Sequence, residues 1–233
     1  GYPEPFARQD KQFRAIWANN YLRTYVDRDV RKLFPDLQIE TYRRFIKMLA
    51  YSSGEIVNFA QWAGALGVSE PTTKKYCDIA EGTFLFRQLP AFSHHLGKRL
   101  VKSPKGLLRD TGLTVALLRI EEPDDLLSHP RAGHLFETFC IEQIIKSLQS
   151  QMMNFDFSFY QTHNQAEIDL VLEFSKHIIP IEIKLGEKIR SESVRTIKEF
   201  VQIRKAPFGL VINNSKEIIQ IAPQIYQVPF GVL

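Results

Sequence analysis

The chain has 233 residues, of which 44% are hydrophobic and 24% are charged, so it can bury a core in one large domain or two small ones. Its formal net charge of +4 permits an anionic or nucleic-acid partner without requiring one. No apolar run approaches the roughly 20 residues that span a bilayer, and the first residues lack the apolar segment of a signal peptide. We therefore expect no membrane partner.

The cysteine content predicts a reducing, cytoplasmic setting. Cys77 and Cys140 are the two cysteines of the sequence, and they do not form a CxxC pair. Each lies in an apolar, helix-like segment, so both are interpreted as core residues.

The N-terminal third is predicted to be helical. Apolar and aromatic residues recur every three or four positions over Asp10–Leu33, and Pro35 ends that helix. A second helix covers Ile39–Tyr51. Residues 1–37 are interpreted as a helical linker.

Two further helices and a hairpin follow. Asn58 is predicted to cap a helix that stops at Gly67, and Ser69 to cap a helix that runs to Glu81. Phe84–Pro90 is predicted as a strand, and His95–Ser103 as its basic return strand. This order of elements predicts a winged helix over residues 38–125.

The remainder predicts an α/β domain over residues 126–233, after a hinge at Glu121–Pro130. A mixed central sheet flanked by helices is expected because helices and strands alternate. The predicted helices are Ala132–Gln149 and Ser191–Arg204. The predicted strands are Phe155–Gln161, Ala166–Phe174, Ile178–Leu185, Phe208–Ile212 and Ile218–Ile221.

Charged residues interrupt two of these apolar strands. Glu167 and Asp169 share one face of their strand because side chains alternate with period two, and Glu182 and Lys184 share a face of the next. The short connection between the strands predicts antiparallel pairing, with Asp169 and Glu182 as neighbours.

A third carboxylate is predicted on the preceding helix. At about 100° per residue, Ile144 and Leu148 fall within about 20° of Glu137, in the middle of the apolar arc. Glu137 is therefore expected to face the core. The more polar positions lie round the other side of the helix: Thr138, Glu142, Lys146 and Gln149.

Three inward carboxylates and a lysine suit a metal site. We expect Asp169, Glu182 and Glu137 to hold Mg²⁺ or Mn²⁺, with the Ile183 carbonyl as a further ligand and Lys184 assisting the attacking water. A buried carboxylate is costly unless it is paired or binds a cation. The alternative is therefore a buried salt-bridge network without a metal.

These residues resemble the PD-(D/E)XK nuclease-like superfamily, in which a helix carries an acid, a strand carries an acid, and ExK follows. Glu137, Asp169 and the segment Glu182-Ile183-Lys184 match that pattern. Nearly the whole chain resembles the uncharacterised C-terminal module that follows an AAA-type ATPase domain in many bacterial and archaeal proteins. The resemblance implies a winged helix, a nuclease-like domain and an upstream or separate ATPase. Residues 1–37 would then be the helical linker from an upstream ATPase.

Two features depart from that resemblance. No GxxxxGK[ST] loop occurs, so we expect ATP to act only through the missing ATPase part. Gln161 stands where the family carries an arginine, which weakens the argument for catalysis.

Basic residues near the predicted wing and recognition helix are the candidates for DNA binding. These are Lys74, Lys75, Lys98, Arg99, Lys102 and Lys105. The alternative is a solvated hairpin or a surface that docks on the ATPase. Together the sequence predicts a metal-dependent DNA phosphodiesterase with catalytic residues Glu137, Asp169, Glu182 and Lys184. The alternative function is an inactive nuclease-like scaffold that binds DNA or protein.

Overall fold

A computed structural model describes residues 2–8, 10–92, 103–162, 166–187, 189 and 191–233. The chain divides into two compact units. The first contains residues Gly1–Gln88 and Gly106–Leu135, and the second contains Leu89–Lys105 and Phe136–Leu233.

The first unit begins with helices. These are α1 (Pro3–Arg8), α2 (Lys11–Thr24), a π-helical turn over Tyr25–Val30, and α3 (Arg31–Leu33). Asp10 caps α2 by accepting a hydrogen bond from the Phe13 N–H. The predicted helix over residues 10–33 is confirmed, with a π-helical turn inside it, whereas α1 was not predicted.

The central part of the first unit contains three helices and a small sheet. The helices are α4 (Ile39–Ser52), α5 (Phe59–Leu66) and α6 (Glu70–Gly82). The Asn58 side chain accepts from the Gln61 N–H, Gly67 adopts a left-handed conformation at φ 70°, and Ser69 accepts from the Thr72 N–H. The three signals read from the sequence are therefore confirmed.

The small sheet has three strands in the order β1-β3-β2. They are β1 (Glu55–Ile56), β2 (Phe86–Leu89) and β3 (Lys105–Leu108). The prediction missed β1, which is only two residues long. Most of the predicted return strand His95–Ser103 lies outside the described residues, and the described partner strand begins at Lys105.

Two short helices, α7 (Thr111–Leu117) and α8 (Pro123–Ser128), complete the described elements of the first unit. The predicted hinge at residues 121–130 thus contains a helix, because Pro123 and two acids favour a helix start. The core of this unit includes the fully buried aromatic side chains Tyr42, Phe45 and Phe86.

A six-stranded mixed sheet forms the second unit, in the order β4-β5-β6-β7-β9-β8. The strands are β4 (Asp156–Gln161), β5 (Glu167–Glu173), β6 (Ile178–Ile183), β7 (Gly209–Asn213), β8 (Ile219–Ala222) and β9 (Ile225–Pro229). β6, β7 and β9 run parallel, and the other neighbours are antiparallel. The predicted mixed sheet is confirmed, although β9 was not predicted.

Two helices accompany this sheet. α9 (Ala132–Ser150) precedes β4, and α10 (Ser191–Arg204) connects β6 to β7. Ile197, Phe200 and Val201 bury one face of α10. The predicted polar side of α9 is exposed at Lys146 and Gln149 but not at Thr138 and Glu142, which are buried. A helical-wheel projection gives the angles between side chains, but it does not show how many faces of the helix pack against other elements.

In the part of the chain that the structure describes, no helix combines the length and apolar character needed to cross a membrane.

Candidate metal centre

β5 and β6 bring Asp169 and Glu182 together in the second unit. Leu170 lies opposite Ile181 in the antiparallel pair, and continuing this register by one residue sets Asp169 opposite Glu182. Both carboxylates are nearly buried, with 3% and 4% of their surface exposed. Asp169 Oδ2 accepts a hydrogen bond from the Ile183 N–H at 2.7 Å, which fixes one carboxylate oxygen to the next strand.

Lys184 follows β6 and turns its ammonium group onto this pair. Its Nζ lies 2.7 Å from Glu182 Oε1, 3.4 Å from Asp169 Oδ2 and 3.1 Å from the Ile183 carbonyl oxygen. These contacts use all three ammonium protons. The Lys184 side chain is 37% exposed, so it reaches solvent from above two buried acids.

Glu137 and Glu167 form the neighbouring half of the centre. One ligand oxygen from each lies within 4.8 Å of the other and of an Asp169 oxygen. Lys105 Nζ donates to Glu137 Oε1 at 2.7 Å and to Glu167 Oε1 at 2.5 Å. The centre therefore contains four carboxylates and two ammonium groups, with Asp169 common to both halves.

Burial and mutual repulsion shift the acids toward the protonated form. Burial, and next the charge of Asp169, raise the pKa of Glu137 to about 7, although Lys105 opposes the shift. The same two causes raise the pKa of Glu182 to about 8 against the opposing charge of Lys184. Burial lowers the pKa of Lys105, but the surrounding carboxylates outweigh it, so the net pKa is raised.

The residues present fit a divalent cation. When all are ionised, the four carboxylates exceed the two ammonium groups by two negative charges, which a single divalent ion balances. Glu182 Oε2 is buried and has no partner within hydrogen-bond distance among the residues that the structure describes, while the nearby Ser193 side chain acts on the Glu182 carboxylate and lowers its pKa slightly against burial. A buried carboxylate oxygen without a partner and a set of hard oxygen donors both suit Mg²⁺ or Mn²⁺.

The four predicted site residues Glu137, Asp169, Glu182 and Lys184 thus lie together, but in two linked halves. The sequence did not single out Glu167 as a site residue, although its shared strand face with Asp169 was the available signal. Cys140 also lies near the centre. Burial, followed by the charges of Asp169 and Glu137, raises the pKa of its thiol to about 12, so it stays protonated as a core residue.

The prediction that Lys105 binds DNA is wrong, because Lys105 is buried. Only 3% of Lys105 is exposed, and its ammonium group is enclosed by Glu137, Glu167 and the Phe159 ring, whose centroid is 5.5 Å away. It cannot reach a phosphate from the surface. Nothing in the basic segment around Lys105 distinguished it from its neighbours in the sequence.

The other candidate DNA contacts fall into two groups. Lys74 and Lys75 are exposed on α6, which also exposes Glu70 and Asp78, so the helix surface is mixed in charge. The second group lies outside the described residues: Lys98, Arg99 and Lys102. Gln161, at the predicted departure from the family pattern, donates to Glu167 Oε2 at 3.4 Å and so borders the centre.

Two family matches cover most of the chain. The family described as "Domain of unknown function (DUF8612)" matches residues 1–124, and "Domain of unknown function (DUF4143)" matches residues 132–233. The second match includes Glu137, Glu167, Asp169, Glu182 and Lys184.

Among curated proteins, the chain is similar to an uncharacterized protein of Mycobacterium bovis and to one of Mycobacterium tuberculosis. Each is 32% identical over 184 residues, which is 79% of this chain. The chain spans 41% of the length of these relatives.

Proposed function

The chain belongs to the DUF8612 family, and we propose that it is a nucleic-acid-acting module with a metal-dependent phosphodiesterase site in its second unit. Under this proposal the second unit is nuclease-like, of the PD-(D/E)XK type, and the substrate is DNA. Mg²⁺ or Mn²⁺ is the cofactor.

One observation carries the proposal. The Lys184 ammonium group contacts three of the four groups that the sequence predicts as metal ligands, through Asp169 Oδ2, Glu182 Oε1 and the Ile183 carbonyl oxygen. The three oxygens surround the Lys184 Nζ atom and stabilise its positive charge, so they can also stabilise a metal cation there. Lys184 is long and partly exposed, so it can move aside for an ion, and the unpartnered Glu182 Oε2 supplies a further donor.

The roles of the residues follow from their positions. Asp169 and Glu182 would hold the ion, with the Ile183 carbonyl completing the protein ligands, and Glu137 would bind through water from the other half of the centre. The bound ion supplies Lewis-acid polarisation of a phosphoryl oxygen. Lys184, displaced by the ion but still at the edge of the centre, would orient the attacking water and stabilise the negative charge that develops on the phosphate.

The first unit provides the proposed DNA affinity. Its order α4, β1, α5, α6, β2, β3 and its sheet order β1-β3-β2 support a winged-helix assignment. Exposed Lys74 and Lys75 on α6 would contact phosphates without reading sequence, and the basic residues Lys98, Arg99 and Lys102, which belong to the second unit, would add to this affinity. We further propose a cytoplasmic location and an AAA-type ATPase as partner, through which ATP would act.

Cleavage assays on the 233-residue chain test the enzymatic proposal. Labelled single-stranded, duplex and branched DNA are incubated with Mg²⁺, Mn²⁺ or EDTA. Asp169→Ala is the test variant. Asp125→Asn, which changes an exposed acid of α8, is the control. Cleavage that requires metal, is lost in Asp169→Ala and persists in Asp125→Asn supports the enzyme, whereas absence of metal-dependent cleavage on all substrates rejects it.

The salt bridges themselves favour a second candidate function. Lys105 and Lys184 already neutralise part of the acid cluster, as expected of a salt-bridged scaffold that does not need an ion. In that case the chain would be an inactive DNA- or protein-binding module of an ATPase. It would bind DNA equally well in Mg²⁺ and EDTA, and Asp169→Ala would bind like the unchanged chain.

A further inference from the structure

Lys105 differs from Lys184 in its freedom to leave the acids. Only 4% of the Lys105 side chain is exposed, compared with 37% for Lys184. A long side chain at the surface can swing into solvent, whereas an enclosed one must first break the packing around it. Lys105 therefore stays with its two carboxylates when Lys184 moves away.

The Lys105 ammonium group lies among the carboxylates that would hold a second ion. Glu137, Glu167 and Asp169 each offer a carboxylate oxygen, and these oxygens lie within 4.8 Å of one another, so they form a set of hard donors that suits an ion of its own. Lys105 Nζ contacts both glutamates of this trio, at 2.7 Å and 2.5 Å. An ammonium group already contacts two of the three carboxylates that a second ion would need.

The charges agree with a single ion. One divalent cation and the enclosed Lys105 leave the four carboxylates with one negative charge, which the displaced Lys184 ammonium group still balances from the solvent side. Two divalent cations would leave an excess of positive charge around the enclosed Lys105. A buried net charge is strongly unfavourable.

We propose that Lys105 is a built-in cation of the centre, a positioning residue that holds Glu137 and Glu167 and restricts the site to one divalent ion at Asp169 and Glu182. This inference rests on the proposed metal site and adds the number of divalent ions that the site binds. Loss of the Lys105 charge would open the Glu137, Glu167 and Asp169 oxygens to a second ion. Arginine at the same position would keep the charge.

Mn²⁺ binding to the 233-residue chain tests this, with free ion counted by electron paramagnetic resonance. We expect one equivalent in the unchanged chain, one in Lys105→Arg and two in Lys105→Met. Lys216→Met, which changes an exposed lysine before β8, is the matched control and should bind one. Circular dichroism checks that each variant is folded.

The outcomes separate the two claims. Two equivalents in the unchanged chain overturn the inference and leave the metal site standing, and this result does not depend on how Lys105→Met folds. A folded Lys105→Met that still binds one equivalent also overturns it. No Mn²⁺ binding in the unchanged chain overturns the proposed function, and the inference with it.

Discussion

Asp169 ties two strands of the centre together, because its Oδ2 accepts a hydrogen bond from the Ile183 backbone N–H at 2.7 Å. The same oxygen lies 3.4 Å from Lys184 Nζ. One carboxylate therefore positions the backbone of the ExK segment and the ammonium group that covers it. Asp169 has a structural role and, under the proposed function, a role as metal ligand.

Two substitutions of Asp169 separate these roles. Asp169→Asn keeps an oxygen for the Ile183 N–H, whereas Asp169→Ala leaves that buried donor unpaired. We expect the free energy of unfolding of Asp169→Ala to be about 1–3 kcal/mol lower than that of Asp169→Asn. Urea denaturation in EDTA measures both. Both should lose metal-dependent cleavage. Equal stability of the two variants would show that the hydrogen bond contributes nothing.

Stability without metal should fall as the pH rises from about 5 to 8. Burial and the charge of Asp169 raise the pKa values of Glu137 and Glu182 from 4.5 to about 7 and about 8, so the folded state holds protons that the unfolded state has released. The unfolding free energy then declines with pH, by up to about 1.4 kcal/mol per pH unit for each group. The lysine partners Lys105 and Lys184 stay protonated throughout this range because their pKa values are raised.

Urea denaturation at several pH values in EDTA measures this slope. Glu182→Gln should reduce it, because a carboxamide does not titrate, while Glu70→Gln on the exposed surface of α6 should leave it unchanged. Saturating Mg²⁺ should also flatten the curve by replacing the protons. A stability that rises with pH between 5 and 8 in EDTA contradicts the prediction.

Removal of the Lys184 charge should tighten metal binding and weaken catalysis. Its ammonium group contacts Glu182, Asp169 and the Ile183 carbonyl, so an ion has to displace it. We expect Lys184→Met to bind Mn²⁺ about tenfold more tightly, and to lose about 10²-fold in single-turnover cleavage because the developing charge is no longer stabilised. The exposed Lys176→Met serves as the control. Weaker Mn²⁺ binding by Lys184→Met would mean that Lys184 does not share the place of the ion.

The lysines of α6 should contribute to DNA affinity through charge alone. Lys74 and Lys75 are exposed, and Lys74 Nζ lies 5.5 Å from the Phe59 ring centroid. For the double change to glutamine we expect a weaker affinity on every sequence tested. The slope of log affinity against log salt should fall by about one for each phosphate that is no longer neutralised. Fluorescence anisotropy over a salt series measures both, and Lys47→Gln, an exposed lysine of α4, should bind like the unchanged chain.

Local rules predicted much of this fold. Asn58 and Ser69 were identified as helix caps because a short polar side chain can pair with the next exposed N–H groups. The period of two placed Asp169 and Glu182 side by side once the short connection set the antiparallel register. The strand β9 was missed because its residues, Ile225–Pro229, include a proline and give little alternation.

The roles of Lys105 and Glu167 depend on distant contacts. Lys105 is separated by 32 residues from Glu137 and by 62 from Glu167, and no local pattern encodes such a meeting. In the sequence Lys105 belongs to a basic segment, so its charge was interpreted as a surface feature. The structure shows instead that it is the buried partner of two acids.

The most direct test of the metal site is diffraction from crystals of this chain grown with Mn²⁺, with an anomalous difference map recorded above the manganese edge. We predict one anomalous peak between Asp169, Glu182 and the Ile183 carbonyl, with Lys184 Nζ displaced toward solvent. The absence of a peak, with Lys184 Nζ still on Glu182 and Asp169, would contradict the proposed site and leave a salt-bridged scaffold.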